Sequence, residues 1–239
     1  MVVYFVTLLQ LGNIDGTAMK VLSYLPFSSY SAMFARVAMG NVAVFDTEAR
    51  MAADKFSYAL NQRLPEDIRI QKSEEVLPDW HPRHVSSKKT YEYRIYRGEF
   101  PMPINRLYAY FVYRPLDVEK MKKAASYLEG EHDFKSFCSV STVAETTVRT
   151  LYSVKVSKES DMITIRVTGS GFLYNMVRIM VGTLLRIQQG KIAPDEISSI
   201  IEKKNRKYSG PTAQACGLYL NRVNYENDNS SQKGVNADV

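Results

Sequence analysis

LYSVKVSKESDMITIRVTG, residues 151–169, decides the fold class. LYSVKVS and MITIRVTG each alternate apolar and polar residues, and the polar break KESD (158–161) separates them. A period of two marks a strand with one buried face, and two such runs across a short turn predict an antiparallel hairpin. Helical patterns lie on both sides of it, so the expected class is α+β with antiparallel sheet.

Downstream, GFLYNMVRIMVGTLL (171–185) opens a long apolar helix predicted over 172–188. A shorter helix follows Pro194, a residue type favoured in a first helical turn. Upstream, LDVEKMKKAASYLEG (116–130) predicts a helix with Asp117 as its cap and Gly130 as its stop. Val118, Met121, Ala125 and Leu128 form its apolar stripe. KTYEYRIYRG (89–98) reads as a strand with Tyr91, Tyr93 and Ile95 on one face and Glu92, Arg94 and Tyr96 on the other. NVAVF (41–45) is a strand running into a helix from Asp46 or Thr47 to Gln62, with Phe56, Ala59 and Leu60 at helical spacing. GLYLNRVNY (217–225) is a last strand, and the tail 226–239, rich in Asn, Ser and Asp, is expected to be disordered. There is no internal repeat, and the prolines of FPMPINRL (100–107) suggest a boundary.

The chain has 239 residues, 45% hydrophobic and 23% charged, enough for one large domain or two small lobes. Its net charge of +6 favours an anionic partner, of which nucleic acid is the commonest. Two cysteines, Cys138 and Cys216, and three histidines, His81, His84 and His132, show no metal-ligand spacing. No metal site is expected, and the lone cysteines suit a reducing cytoplasm. The apolar N-terminal run lacks a basic n-region, and the run at 171–185 is too short for a membrane span and contains Arg178.

Arg178 is the only charge in the apolar stretch FLYNMVRIMVGTLL (172–185). Two readings stand: a structural ion pair, or a cation in a cleft that holds a catalytic acid or a phosphate. Tyr91 and Tyr93 read as core residues or as a stacking platform for an unpaired base. HPRHVSSKKTYEYR (81–94) concentrates His81, Arg83, His84, Lys88, Lys89 and Arg94 around aromatics, a composition suited to single-stranded or loop RNA. In GEHDFKSF (130–137), Asp133 next to His132 reads as a turn or capping residue. GPTAQACGL (210–218) lacks a phosphate-loop Lys and is not a nucleotide site. One gap stands out, since no Asp or Glu occurs between Asp15 and Asp46.

With these stretches assembled, the chain resembles the tRNA pseudouridine synthase A family. The matching segments are GNVAVF, NQRLPEDI, WHPRHVSSKKTYEYRIY, GEHDFKSFCS, TVRTLYSV, GSGFLYNMVRIMVGTLL and GPTAQACGLYL, in family order from residue 40 to about 225. The resemblance implies the pseudouridine synthase fold, two lobes of largely antiparallel sheet flanked by helices. Residues 40–103 would form an incomplete N-terminal lobe and 104–225 the C-terminal lobe. It also implies a homodimer that binds the tRNA anticodon stem-loop and isomerises uridine at positions 38–40 without metal or cofactor. In that reaction the N1–C1′ bond breaks, the uracil turns, and C5 bonds to C1′. By match, Tyr91 packs on the uracil and Arg178 pairs with the catalytic aspartate.

The same comparison exposes a departure in residues 1–39. The family carries an R-T-D-[AS]-G-V-H-A motif just before the strand matched by GNVAVF. Counting back from Gly40 sets R-T-D on Ser31, Ala32 and Met33, and aligning on Arg36 sets the acid on Ala38. No register supplies an Asp, although IDGT (14–17) echoes a family Y-D-G-T. A close match from residue 40 beside none before it points to a deletion or a reading-frame error. The expectation is a tRNA pseudouridine synthase impaired as written. The alternative is a non-catalytic tRNA- or RNA-binding protein of the same fold.

Overall fold

The computed structural model describes residues 2–6, 42–46, 51–66, 68–76, 80, 82, 87–139 and 144–225. The segment aligned with the R-T-D motif, the tail 226–239, and His81, Arg83 and His84 lie outside the described residues. The chain divides into two compact units, with a boundary between Lys88 and Lys89.

The first unit holds the backbone strands β1 (Val2–Val6) and β2 (Val42–Asp46), helix α1 (Phe56–Asn61) and β3 (Lys72–Glu75). β1 is the central strand, antiparallel to β2 with Tyr4 opposite Val44, and to β3 with Tyr4 opposite Glu74. α1 begins later than the pattern predicts. Asp46 ends β2, Ala52 is extended at ψ 143°, and a single 3-10 turn at Ala53–Lys55 leads into the helix. Phe56 and Leu60 are nonetheless buried, as their spacing requires. Polar groups beneath them are paired: the Ser57 amide donates to Ser73 Oγ at 3.0 Å, and Asn61 exchanges two 2.8 Å hydrogen bonds with the Ile70 backbone.

The second unit spans Lys89–Arg222 and is built on six strands. In chain order it comprises β4 (Ser87–Arg97), β5 (Tyr110–Val112), α2 (Val118–Ser126), β6 (Gly130–Asp133), β7 (Val148–Glu159) and β8 (Met162–Gly169). α3 (Met176–Gln188), α4 (Glu196–Glu202) and β9 (Leu218–Tyr225) follow. The sheet order is β5-β4-β8-β7-β6, with β9 also on β4. β8 runs antiparallel along one edge of β4, from Lys89 opposite Gly169 to Tyr96 opposite Met162. β5 pairs parallel with Ile95–Arg97 on the other edge, which it shares with β9. The segment 100–107 lies inside this unit.

β7 and β8 form the expected hairpin, with Val154 opposite Val167 and Val156 opposite Ile165. The register shifts between Leu151 and Ser153, which places Tyr152 in a bulge. That extra residue reverses the alternation, so Leu151, Val154 and Val156 all face the core.

One face of the sheet packs on α2 and α3. Tyr93, Ile95, Ile163, Ile165 and Val167 meet Met121, Ala125 and Leu128 of α2 and Met176, Ile179 and Leu184 of α3 in one core. Fully burying such a side chain contributes about 1.5–3 kcal/mol. Asp117 caps α2 as expected, accepting from the Lys120 amide at 3.1 Å. α2 ends at Ser126, however, and Gly130, at φ +107°, opens β6 instead of stopping the helix. α3 starts at Met176, four residues later than predicted, because Asn175 is left-handed at φ +60° and cannot continue a right-handed turn. Pro194 precedes α4, which starts at Glu196, and the Glu196 carboxylate accepts from the Ala193 amide at 2.7 Å. Among the described residues, no helix is long and apolar enough to cross a membrane.

Candidate functional site

Alternation along β4 sends Tyr91, Tyr93 and Ile95 to the core face, but the two tyrosines end in different surroundings. Tyr93 is fully buried and donates its hydroxyl to the Gln214 carbonyl at 2.7 Å. Tyr91 is only partly buried, at the margin of the core. Its ring meets Phe172 edge-on, centroids 4.9 Å apart at 78°. Burial pushes the hydroxyl pKa of both up. The two readings offered for the pair therefore separate: Tyr93 is core, and Tyr91 is the ring at the edge.

Phe172 belongs to the short turn that leads from β8 into α3, and Arg178 lies in the first turn of that helix. The half-buried Arg178 guanidinium is held by neutral oxygens. Nε donates to the Ala213 carbonyl at 2.7 Å and Nη1 to Asn175 Oδ1 at 3.2 Å. Among the described residues, no carboxylate lies within ion-pair distance of it. An arginine has five N–H donors, so three remain beyond these two bonds.

The segment 209–214 that supplies Ala213 is strapped to α3 by contacts only glycine permits. A Cβ on Gly182 would stand 1.7 Å from the Pro211 carbonyl oxygen, and one on Gly210 2.4 Å from the backbone of Gly182. The Gly210 amide donates to Thr183 Oγ1 at 2.8 Å, and Arg206 Nη1 donates to the Gly210 carbonyl at 2.8 Å. Ser209 fastens the near end, donating to the Ser136 carbonyl at 2.6 Å. Past the strap, a Cβ on Gly217 would lie 2.5 Å from the Arg94 carbonyl oxygen. The work of GPTAQACGL is to carry Ala213 to Arg178, a role that residue type alone does not reveal.

The basic residues flanking Tyr91 within β4 divide between its faces. Arg94 lies on the face opposite Tyr91, where Nε donates to Glu92 Oε1 at 2.8 Å and the guanidinium stacks 4.5 Å over the Tyr219 ring. Glu92 is 4% exposed and also accepts from Arg166 at 2.8 Å and Asn221 at 3.2 Å. Burial alone raises its carboxyl, but the hydrogen bonds from Arg166 and Arg94 outweigh that and leave it below the ordinary value. By alternation Lys88 shares the Arg94 face and Lys89 the Tyr91 face. Asp133 is the turn residue expected, accepting from the Lys135 amide at 3.2 Å and from Thr147 Oγ1 at 2.5 Å, beside Lys204 at 3.1 Å. His132 hydrogen-bonds the Glu129 carbonyl. Two cavities, of about 270 and 180 Å³, are lined by Tyr110, Arg114 and Gln188 and by Tyr96, Met102 and Cys216. Neither includes Tyr91 or Arg178.

A family model described as tRNA pseudouridine synthase matches residues 124–226, which include Arg178 and the whole strap. A protein named tRNA pseudouridine synthase A from Acetivibrio thermocellus is 48% identical over 188 residues, 79% of this chain and 77% of the relative. Proteins of the same name from Bacillus licheniformis and Bacillus subtilis are each 46% identical, over 80% of this chain and 77% of their own length.

Proposed function

The chain belongs to the tRNA pseudouridine synthase family, and from that premise we propose that its second unit receives a uridine of the tRNA anticodon arm at Tyr91 and Arg178. The carrying observation is Arg178: a guanidinium tied, among the described residues, only to neutral oxygens, beside the turn that sets Phe172 against Tyr91. A base in a stem-loop must leave its stack to be reached, and a partly exposed aromatic ring offers it a replacement face. The Tyr91 hydroxyl stays protonated, so it can donate a hydrogen bond but does not serve as a base near neutral pH. Arg178 supplies fixed donors for an anion at the nucleotide. Lys89, on the Tyr91 face, is a proposed phosphate contact, as is Arg94 on the opposite face, where it also bonds Glu92. His81, Arg83, His84 and Lys88 complete the proposed RNA contacts. The assembly is a cytoplasmic homodimer acting on positions 38–40, with no metal or cofactor.

The isomerisation cleaves N1–C1′, forms C5–C1′ and releases the C5 proton, so a carboxylate at the sugar is needed and neither Tyr91 nor Arg178 replaces it. With no Asp in any register of the matching segment, the chain as written binds tRNA but isomerises it poorly. The missing acid also favours the second reading, a non-catalytic tRNA-binding protein. Tritium release from C5-labelled tRNA, run beside salt-dependent binding of the same tRNA, tests both. The expected result is binding that weakens with salt and release near background. Robust release overturns the impairment, and failure to bind at low salt overturns both readings. Resequencing codons 15–40 decides the origin, since an R-T-D in another frame marks a coding lesion.

A further inference from the structure

Among the described residues, Ser160, Asn175 and Lys204 are the non-glycine residues with positive φ. Ser160 lies in the β7–β8 turn and Lys204 just past α4, places where a left-handed residue ends an element. Asn175 is different, because it stands at the entry to α3 with φ +60° and ψ 10°. A residue there ordinarily takes an extended conformation and turns its side chain back to cap the helix. Asn175 does neither.

Its amide is used elsewhere. Oδ1 accepts from Arg178 Nη1 at 3.2 Å, and Nδ2 donates to Ser139 Oγ at 3.0 Å. The Ser139 amide in turn donates to the Tyr174 carbonyl at 3.2 Å, closing a small ring of bonds around the helix entry. Two acceptors on different nitrogens, Ala213 at Nε and Asn175 at Nη1, fix the plane of a rigid planar group. With only one of them the guanidinium can pivot. An unfavourable backbone conformation persists where its surroundings over-determine it, and here it brings an amide to the one charge in the first turn of the helix.

We infer that Asn175 is a positioning residue for Arg178: its left-handed backbone and its bridge to Ser139 fix the guanidinium plane, holding three N–H donors ready for a phosphate of the bound RNA. The identity of that anion rests on the function proposed above, whereas the positioning itself does not.

Three variants separate the backbone from the amide. Asn175→Gly keeps free access to φ +60° and deletes the amide. Asn175→Ala deletes the amide and strains the backbone as well. Ser139→Ala removes the bridge while leaving Arg178 and Asn175 themselves unchanged. Each is measured for melting temperature, for the NMR signal of Arg178 Nε–Hε assigned with Arg178→Lys, and for affinity to an anticodon stem-loop RNA at low salt. N175G is expected to melt near the parent, to shift and broaden the Arg178 signal, and to bind RNA about five- to tenfold more weakly. S139A moves the same signal less and weakens binding about two- to threefold. An N175G protein with the parent Arg178 signal and affinity reduces Asn175 to a turn residue and overturns the inference. Should N175G fail to fold, an unchanged signal in S139A overturns it instead. If the parent binds no RNA, the proposed function falls while the Arg178 signal still decides the role of Asn175.

Discussion

Arg178 and Ala213 are bonded to each other twice. Arg178 Nε donates to the Ala213 carbonyl at 2.7 Å, and the Ala213 amide donates back to the Arg178 carbonyl at 3.1 Å. One bond fixes the charge and the other fixes the backbone that carries it, so the strap and the guanidinium move together or not at all.

Displacing the strap must therefore disturb Arg178. Gly182→Ala and Gly210→Ala each place a methyl inside backbone that cannot yield, at 1.7 Å and 2.4 Å. Both are expected to cost on the order of 3 kcal/mol or more in denaturant unfolding, at the upper end of overpacking effects. Gly190→Ala is the control: it meets nothing within 4 Å and suffers only its φ of +68°, about 1 kcal/mol. Equal small losses at all three positions would show that the close approach is not maintained in solution.

Glu92 gives the second unit an acid-sensitive joint. Its carboxyl titrates below its ordinary value of 4.5 because hydrogen bonds from Arg166 and Arg94 outweigh its burial. A depressed folded pKa means that the unfolded chain binds the proton more readily. The stabilisation is thus full above about pH 4.5 and is lost as pH falls through the lower folded value. Asp133 is shifted in the same direction, its burial outweighed by Thr147 and Lys204. Glu92→Gln keeps the shape and removes the charge. It is expected to cost about 1–2 kcal/mol at pH 7, both arginines being half exposed, and to flatten the fall between pH 5 and pH 3. A parallel pH profile for parent and variant contradicts this account.

What could be read from residues alone follows what has a period. The β7–β8 hairpin was legible because burial on one face imposes a period of two, and α2 because Asp117 and its apolar stripe repeat a helical pattern. The bulge at Tyr152 was hidden, since Leu151 and Val154 look like a lapse in alternation until the register shift puts both in the core. The starts of α1 and α3 were misplaced because Ala52 and Asn175 leave the helical region of backbone space, a choice that composition does not announce. Arg178 was conspicuous as a lone charge, but its partner is the carbonyl of Ala213, and a backbone group leaves no signature in a sequence. Alternation put Arg94 on the face opposite Tyr91 from the residues alone, but its partner Tyr219 comes from a strand more than a hundred residues away and left no signature near it.

Alkaline titration separates the fully buried Tyr93 and the partly buried Tyr91 and Tyr219 from the exposed tyrosines. Burial raises the hydroxyl pKa of both Tyr91 and Tyr93 above the ordinary 10.0. A raised folded pKa keeps the proton on in the native state, so its stabilisation is present below pH 10 and lost as pH rises through the folded value. Tyrosinate absorbance is therefore expected to rise in two stages, with the contributions of Tyr91, Tyr93 and Tyr219 in the second, coincident with loss of native circular dichroism. Tyr93→Phe removes part of that second stage and, by leaving the Gln214 carbonyl without its donor, costs about 1–2 kcal/mol. A single early stage that includes both residues contradicts their burial.

The division of labour between the two tyrosines can be tested with RNA. If Tyr91 is the ring on which a base stacks, its aromatic face matters and its hydroxyl does not. Tyr91→Phe is then expected to bind an anticodon stem-loop as the parent does, and to keep its edge-on contact with Phe172. Tyr91→Ala removes a stacking face worth about 1–3 kcal/mol, a loss of roughly 5- to 150-fold in affinity. The slope of affinity against salt stays unchanged in both, because no phosphate contact is lost. Lys89→Ala provides the opposite signature, a shallower salt slope with a smaller loss at low salt. Tyr93→Phe binds normally despite its lower stability, which separates packing from recognition within one strand. Should Tyr91→Ala bind like the parent while Tyr93→Phe weakens binding, the stacking ring has been assigned to the wrong side of the core.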